Sequence, residues 1–132
     1  MNAKPLLRWR QACAACTAFV LALPSLALAC GACDEDSIAA TYDHRVVQQA
    51  VAAHDLVVYC RLGGPVERSR LVAAARRVPG VRPDSIRTSN EPAALSFSVD
   101  PARQSARGAV AATLRGLPPG SRLTILKVVT NG

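Results

Sequence analysis

Apolar residues recur first with a strand period and then with a helix period in the middle of the chain. Residues 56–62 (LVVYCRL) are rich in β-branched and aromatic side chains and end at a Gly-Gly-Pro turn, which predicts a strand. Cys60 shares a face of this strand with Leu56 and Val58, so we expect it in the core. Residues 65–78 begin with proline, carry apolar side chains at helical spacing and end at Pro-Gly, which predicts a helix.

The second half of this region repeats the pattern. One strand is predicted near residues 84–88, and a clearer one at residues 95–99, where Leu, Phe and Val alternate with two serines. Asp100 and Pro101 are residue types of a helix N-cap and first turn, so a second helix is expected to begin there. Residues 123–129 (LTILKVV) predict the last strand. The predicted core contains Leu56, Val58, Leu71, Phe97, Val99, Val110, Leu114 and Ile125.

A further amphipathic helix is predicted ahead of the first strand. Ile38, Tyr42, Val46 and Ala50 recur every four residues, which gives this helix an apolar stripe that can pack on the domain. Three acidic residues, 34–36, suit the positive N-terminal end of its dipole. The expected fold is therefore α+β, with an N-terminal helix followed by strand, helix, strand, strand, helix and strand.

This order of elements resembles the ferredoxin-like fold of heavy-metal-associated domains, the copper-chaperone type. The resemblance covers residues 56–129 and rests on the strand LVVYCRL, a helix ending in VPGV at residues 78–81, the paired middle strands and the closing RLTILKV. It implies a βαββαβ antiparallel sandwich. In that family a Cys-x-x-Cys motif between the first strand and first helix binds Cu(I) or Zn(II). Residues 63–69 (GGPVERS) contain no cysteine, so this metal site does not carry over.

The N-terminal segment is typical of a secretory signal peptide. Three basic residues among the first ten precede an apolar run at residues 12–23 (ACAACTAFVLAL). Pro24 and the small residues Ala27 and Ala29 then match a cleavage site. We therefore expect removal of residues 1–29 and a periplasmic or secreted mature protein. A membrane span needs about 20 apolar residues, so a retained membrane anchor is the secondary interpretation.

Charge divides the mature chain into two parts. Residues 30–55, the expected cysteine motif and helix, carry five acidic residues and one arginine, whereas residues 56–132, the expected domain, carry twelve basic and four acidic residues. Aromatic residues make up 4% of the chain and none interleaves with a basic cluster, which argues against nucleic acid as a partner. No serine, histidine or carboxylate pattern forms a catalytic constellation, so we expect no enzymatic activity.

The Cys-x-x-Cys motif at Cys30 and Cys33 has four interpretations. It could bind a soft metal ion, or it could exchange thiols and disulfides. Cys30 could be lipidated, because the sequence ALAC resembles a lipobox. The pair could also form a structural disulfide in an oxidising compartment. Cys13 and Cys16 lie in the signal segment and receive no role.

Metal binding is the favoured interpretation. Two thiolates three residues apart suit Cu(I), which accepts two ligands, better than Zn(II), whose closed sites need four. Cleavage after Ala29 gives Cys30 a free amine. Either this amine or the side chain of His44 is the expected auxiliary ligand. The sequence thus predicts a metal carrier or sensor of the cell envelope with Cys30, Cys33 and His44 as site residues. The alternative is an interaction module that binds an envelope protein and whose cysteine pair forms a structural or redox disulfide. Attachment to the membrane is expected only if Cys30 is lipidated or the signal segment is retained.

Overall fold

The computed structural model describes the backbone of residues 29–130 and the side chains of residues 34–130. Apart from Ala29, the predicted signal segment, residues 1–29, lies outside the described residues. The elements in chain order are α1 (Ala29–Thr41), α2 (His44–Ala53), β1 (Leu56–Gly63), α3 (Arg68–Arg76), β2 (Arg87–Asn90), β3 (Ala93–Val99), α4 (Ala106–Arg115) and β4 (Arg122–Val129), with a short 3-10 turn (Pro83–Ser85) between α3 and β2.

The four strands form one antiparallel sheet in the order β2-β3-β1-β4. The first strand therefore lies in the centre, where Val58 opposes Phe97 of β3 and Val128 of β4. The prediction of an α+β fold with paired first and last strands is confirmed. Strand β2 begins at Arg87, three residues later than predicted, because the preceding residues form the 3-10 turn.

One face of the sheet packs against α3 and α4 and forms the main core. Five of the eight predicted core residues are buried there, Leu56 and Ile125 pack at the margin of the core, and Leu114 is partly buried. Burial of each large apolar side chain contributes about 1.5–3 kcal/mol, so this layer is the main source of stability. The buried members are Val58, Leu71, Phe97, Val99 and Val110.

The opposite face of the sheet is covered by α1 and α2. Val57 and Tyr59 of β1 pack with Ala50 of α2 and Ile38 of α1. Because consecutive β1 residues point to opposite faces, strand β1 is buried from both sides. The N-terminal segment is therefore an integral layer of the domain, as its apolar stripe predicts.

The predicted single N-terminal helix is wrong, because the chain breaks between α1 and α2. Asp43 adopts an extended backbone conformation and caps α2, and its Oδ1 accepts the N–H groups of Arg45 (2.9 Å) and Val46 (3.4 Å). Aspartate at an N-cap satisfies backbone donors that the first helical turn leaves unpaired. The predicted apolar stripe is interrupted at this break, because Tyr42 is exposed while Val46 and Ala50 of α2 are buried.

The starts of the two later helices also differ from prediction. Helix α3 begins at Arg68, after Pro65 rather than at it. Helix α4 is capped by Ser105, whose Oγ accepts the N–H of Gly108 (3.0 Å). Asp100, the predicted cap, instead closes a separate turn by accepting the N–H of Ala102 (3.0 Å). Both side chains accept a backbone N–H group, so the chain forms a turn at Asp100 before α4 begins at Ala106.

Candidate functional site

Helix α1 contains Cys30 and Cys33, so the motif lies within the helix that was expected to follow it. The side chains of both cysteines lie outside the described residues. In an α-helix, positions three residues apart share a face.

The next residue, Asp34, contacts the sheet. Its Oδ1 is 2.8 Å from Nη1 of Arg61, near the end of β1. Both side chains are 44% exposed, so the ion pair itself contributes at most about 1 kcal/mol. The pair shows that Asp34 lies beside the part of β1 that leads into the loop before α3.

The other end of α1 is fixed by buried hydrogen bonds. The hydroxyl of Ser96, in the middle of β3, donates to the backbone oxygen of Thr41 (2.9 Å). The Thr41 hydroxyl in turn donates to the backbone oxygen of Ser37 (3.2 Å). All three residues are buried, so α1 approaches the sheet through small polar side chains. Together with the Asp34–Arg61 pair, these contacts hold α1 at both ends.

Two further ion pairs join the acidic N-terminal segment to the basic domain. Asp55, only 2% exposed, accepts two hydrogen bonds from Arg82, at 2.8 and 3.1 Å. This carboxylate raises the pKa of Arg82, chiefly by hydrogen bonding. Asp43 accepts from Arg87 (2.9 Å), and that hydrogen bond is the main cause of the lowered pKa of Asp43. The uneven charge of the sequence thus has an internal explanation, since acids before β1 pair with arginines that follow.

Replacing Asp43 with asparagine is expected to lower stability at neutral pH. The folded-state pKa of Asp43 lies below its ordinary value of 3.8, so its charge stabilises the fold above about pH 4, and this contribution is lost as the pH falls below that value. Urea unfolding between pH 2 and 7 should show wild type and variant converging at the acid end. Asp36→Asn, at an exposed position of α1, is the control. Unfolding curves that coincide at all pH values would contradict the role of Asp43.

His44 is not brought to the start of α1. It is the first residue of α2, beyond the far end of α1, and it is exposed with Nδ1 3.4 Å from the Tyr42 hydroxyl. From Cys33 to the end of α1 the helix rises roughly 12 Å. Among the described residues, no group of three or more His, Cys, Asp or Glu side chains could hold a metal ion. The cysteine pair therefore lies in α1, and His44 lies in the next helix, beyond the C-terminal end of α1.

Cys60 is confirmed as a core residue. It is 1% exposed and its thiol is free, and burial raises its pKa to about 12. A protonated thiol enclosed by apolar side chains is a poor nucleophile and a poor metal ligand. Arg61, Arg82 and Arg87 were not singled out from the sequence, although the charge division between the two parts of the chain was the available signal.

Comparisons with protein-family models, curated proteins and solved structures found no match to this chain. None of the helices in the described part of the chain is both long and apolar enough to cross a membrane.

Proposed function

We propose that the domain is ferredoxin-like and that the protein is an exported metal carrier or sensor, which binds Cu(I) in preference to Zn(II) through Cys30 and Cys33. The strand order β2-β3-β1-β4, with α3 and α4 as crossovers on one face, supports the fold assignment. The additional helices α1 and α2 would then be an elaboration that covers the usually open face of such a sheet.

The contact between Asp34 and Arg61 is the observation that carries the metal proposal. Arg61 lies two residues before β1 ends, and Cys33 directly precedes Asp34 in α1, so this contact supports a position of the motif near the loop at residues 64–67. In the family that the domain resembles, this loop holds the metal-binding cysteines. The N-terminal segment would thus supply a Cys-x-x-Cys motif at the same end of the sheet, from α1 instead of from the loop.

The local charges support thiolate ligands at this position. Cleavage after Ala29 would make Cys30 the first residue of α1, and this helix end together with the guanidinium of Arg61 would favour negative sulfur atoms. The acidic residues at 34–36 oppose them, but the ion pair with Arg61 partly neutralises Asp34. Two sulfur ligands suffice for Cu(I), and the amine of Cys30 would supply a third donor after cleavage at Ala29. His44 is too remote to contribute while α1 stays helical.

The test is competition for Cu(I) between the reduced protein and a Cu(I) chelator. Wild type should withdraw metal from the chelator, whereas Cys30→Ser/Cys33→Ser should compete at least about 100-fold less well, since both soft ligands are lost. Cys60→Ala and His44→Ala are matched controls and should compete like wild type. If wild type competes as poorly as the double variant, the metal proposal fails and the interaction module becomes the better proposal.

The mass of the protein recovered from the cell envelope separates the remaining interpretations of the cysteine pair. Cleavage after Ala29 with two free thiols fits the metal proposal. A mass lower by two hydrogens that reduction restores would indicate a disulfide between Cys30 and Cys33. A mass raised by a lipid group would place Cys30 at the membrane.

A further inference from the structure

The two helical layers of the domain differ in charge. On one side of the sheet, α3 contains three arginines and α4 contains two, and neither helix has an acidic residue. On the other side, α1 contains three acidic residues and α2 contains one arginine, and Asp34 of α1 is paired with Arg61. Unpaired positive charge is therefore concentrated on the α3–α4 side, which gives the molecule a preferred orientation near a charged surface.

The arginines of the basic face are exposed and available. Among residues 34–130 the ion pairs use Arg61, Arg82 and Arg87, none of which lies in α3 or α4. The two helices pack closely, since a Cβ atom added at Gly116 would lie 3.0 Å from Cβ of Ala74. Their outward sides thus form one continuous surface. Its exposed cationic side chains are Arg68, Arg70, Arg76, Arg107 and Arg115.

A shallow, open depression of about 710 Å³ lies on the exposed side of α3. Its lining includes Ser69, Val72 and Ala73 together with Arg68 and Arg76, which are about two helical turns apart. Small and apolar side chains beside two arginines suit an anionic headgroup. Glu67 also lines the depression, beside Arg68.

This face lacks the features of a protein-binding surface. Protein interfaces depend on large aromatic or aliphatic side chains that fill pockets. Among the described residues, the exposed large apolar side chains are Tyr42 and Val51, which lie next to or within α2 in the layer across the sheet. The α3–α4 face is charged and has no large exposed apolar side chain among the described residues. Such a face suits a surface of many equivalent anions better than it suits a single protein partner.

We propose that the α3–α4 face docks on a bilayer that contains anionic phospholipids. Each arginine near such a surface strengthens binding roughly 5-fold, whereas the exposed Glu35 and Asp36 on the opposite side are repelled. The protein would therefore lie with α3 and α4 against the headgroups. This inference does not depend on metal binding by the cysteine pair.

The test measures partition of the protein, as purified from the cell envelope with its mass determined, between buffer and vesicles. Vesicles of phosphatidylcholine are compared with vesicles that contain phosphatidylglycerol. We expect stronger binding to the anionic vesicles that declines with added salt, because screening weakens the attraction. Arg68→Gln/Arg76→Gln should reduce the partition coefficient on anionic vesicles roughly 25-fold, the product of two such contributions.

Arg45→Gln/Lys127→Gln is the matched control, because it removes the same charge from the other side of the sheet. Arg45 lies in α2, and Lys127 opposes Tyr59 on the face that α2 covers. This pair should change the partition coefficient less than about 3-fold. The proposal is overturned by equal binding to both vesicle types, by equal losses in the two double variants, or by binding of an acidic protein without binding of anionic vesicles. Thermal unfolding of each variant verifies that the fold is retained.

Discussion

Replacing Gly64 with alanine is expected to lower the free energy of unfolding by about 3 kcal/mol or more. Gly64 has φ +90°, where an L side chain is strained by about 1–2 kcal/mol. A Cβ atom added there would lie 2.6 Å from the carbonyl oxygen of Gly120, which is backbone and cannot rotate away. Relieving such an overlap by backbone movement costs a further 1–3 kcal/mol or so. Urea unfolding of the purified variant measures the loss.

Gly120→Ala provides the control, because it tests backbone strain without the overlap. Gly120 has φ +86°, but a Cβ atom added there would have no neighbour within 4 Å. It should therefore cost only about 1–2 kcal/mol. Equal losses in the two variants would contradict the close approach of the loops at Gly64 and Gly120.

This close approach also explains why position 64 suits glycine. The loop after β1 packs its backbone on the turn before β4, so position 64 has no space for a side chain. A larger residue there, including any metal ligand, would separate the two loops.

The sheet was predictable because each strand carries its own local signal. Strands β1, β3 and β4 combine β-branched residues with turn residues at their ends, so their bounds agree with prediction to within two residues. Helix starts were less predictable. Asp100 and Ser105 are both good capping residues, and tertiary packing decides which of them begins the helix.

The burial of the serines in β3 could not be predicted from their alternation. Ser96 and Ser98 indicate a strand with one wet face, yet both are buried. Ser96 donates to the backbone of α1, while the N–H of Ser98 donates to Ser85 Oγ (2.7 Å). The pattern shows which face is polar, but whether a helix covers that face depends on contacts between distant segments.

The uneven distribution of charge was visible in the sequence, but the residues that pair with one another were not. Net charge can be counted over any segment, but ion pairs between residues 27 to 44 positions apart require the fold. The structure assigns Arg61, Arg82 and Arg87 to internal pairs and leaves the arginines of α3 and α4 exposed. The arginines of the domain therefore have two roles. Some attach the N-terminal layer, and the others form a basic outer face.

Alkaline pH is expected to destabilise the protein through Cys60. Burial raises the pKa of this thiol from about 9 to about 12, so the folded state keeps a proton that the unfolded state loses. The contribution of Cys60 is therefore complete below about pH 9 and is lost as the pH rises towards 12. The free energy of unfolding falls by up to about 1.4 kcal/mol per pH unit in this range, which amounts to about 4 kcal/mol between pH 9 and 12.

Comparison with Cys60→Ala isolates this contribution, since the variant lacks the thiol but keeps every other group that titrates above pH 9. These groups include Tyr59, whose pKa burial also raises. The variant should be less stable than wild type at pH 7, because a buried sulfur is lost, and the gap should close between pH 9 and 11 in urea unfolding under reducing conditions. Val58→Ala makes a cavity on the same face of β1 without removing an ionisable group, so its gap to wild type should stay constant. A gap for Cys60→Ala that is equally constant would mean that the thiolate is accommodated in the core, contrary to its burial beside Val58 and Phe97.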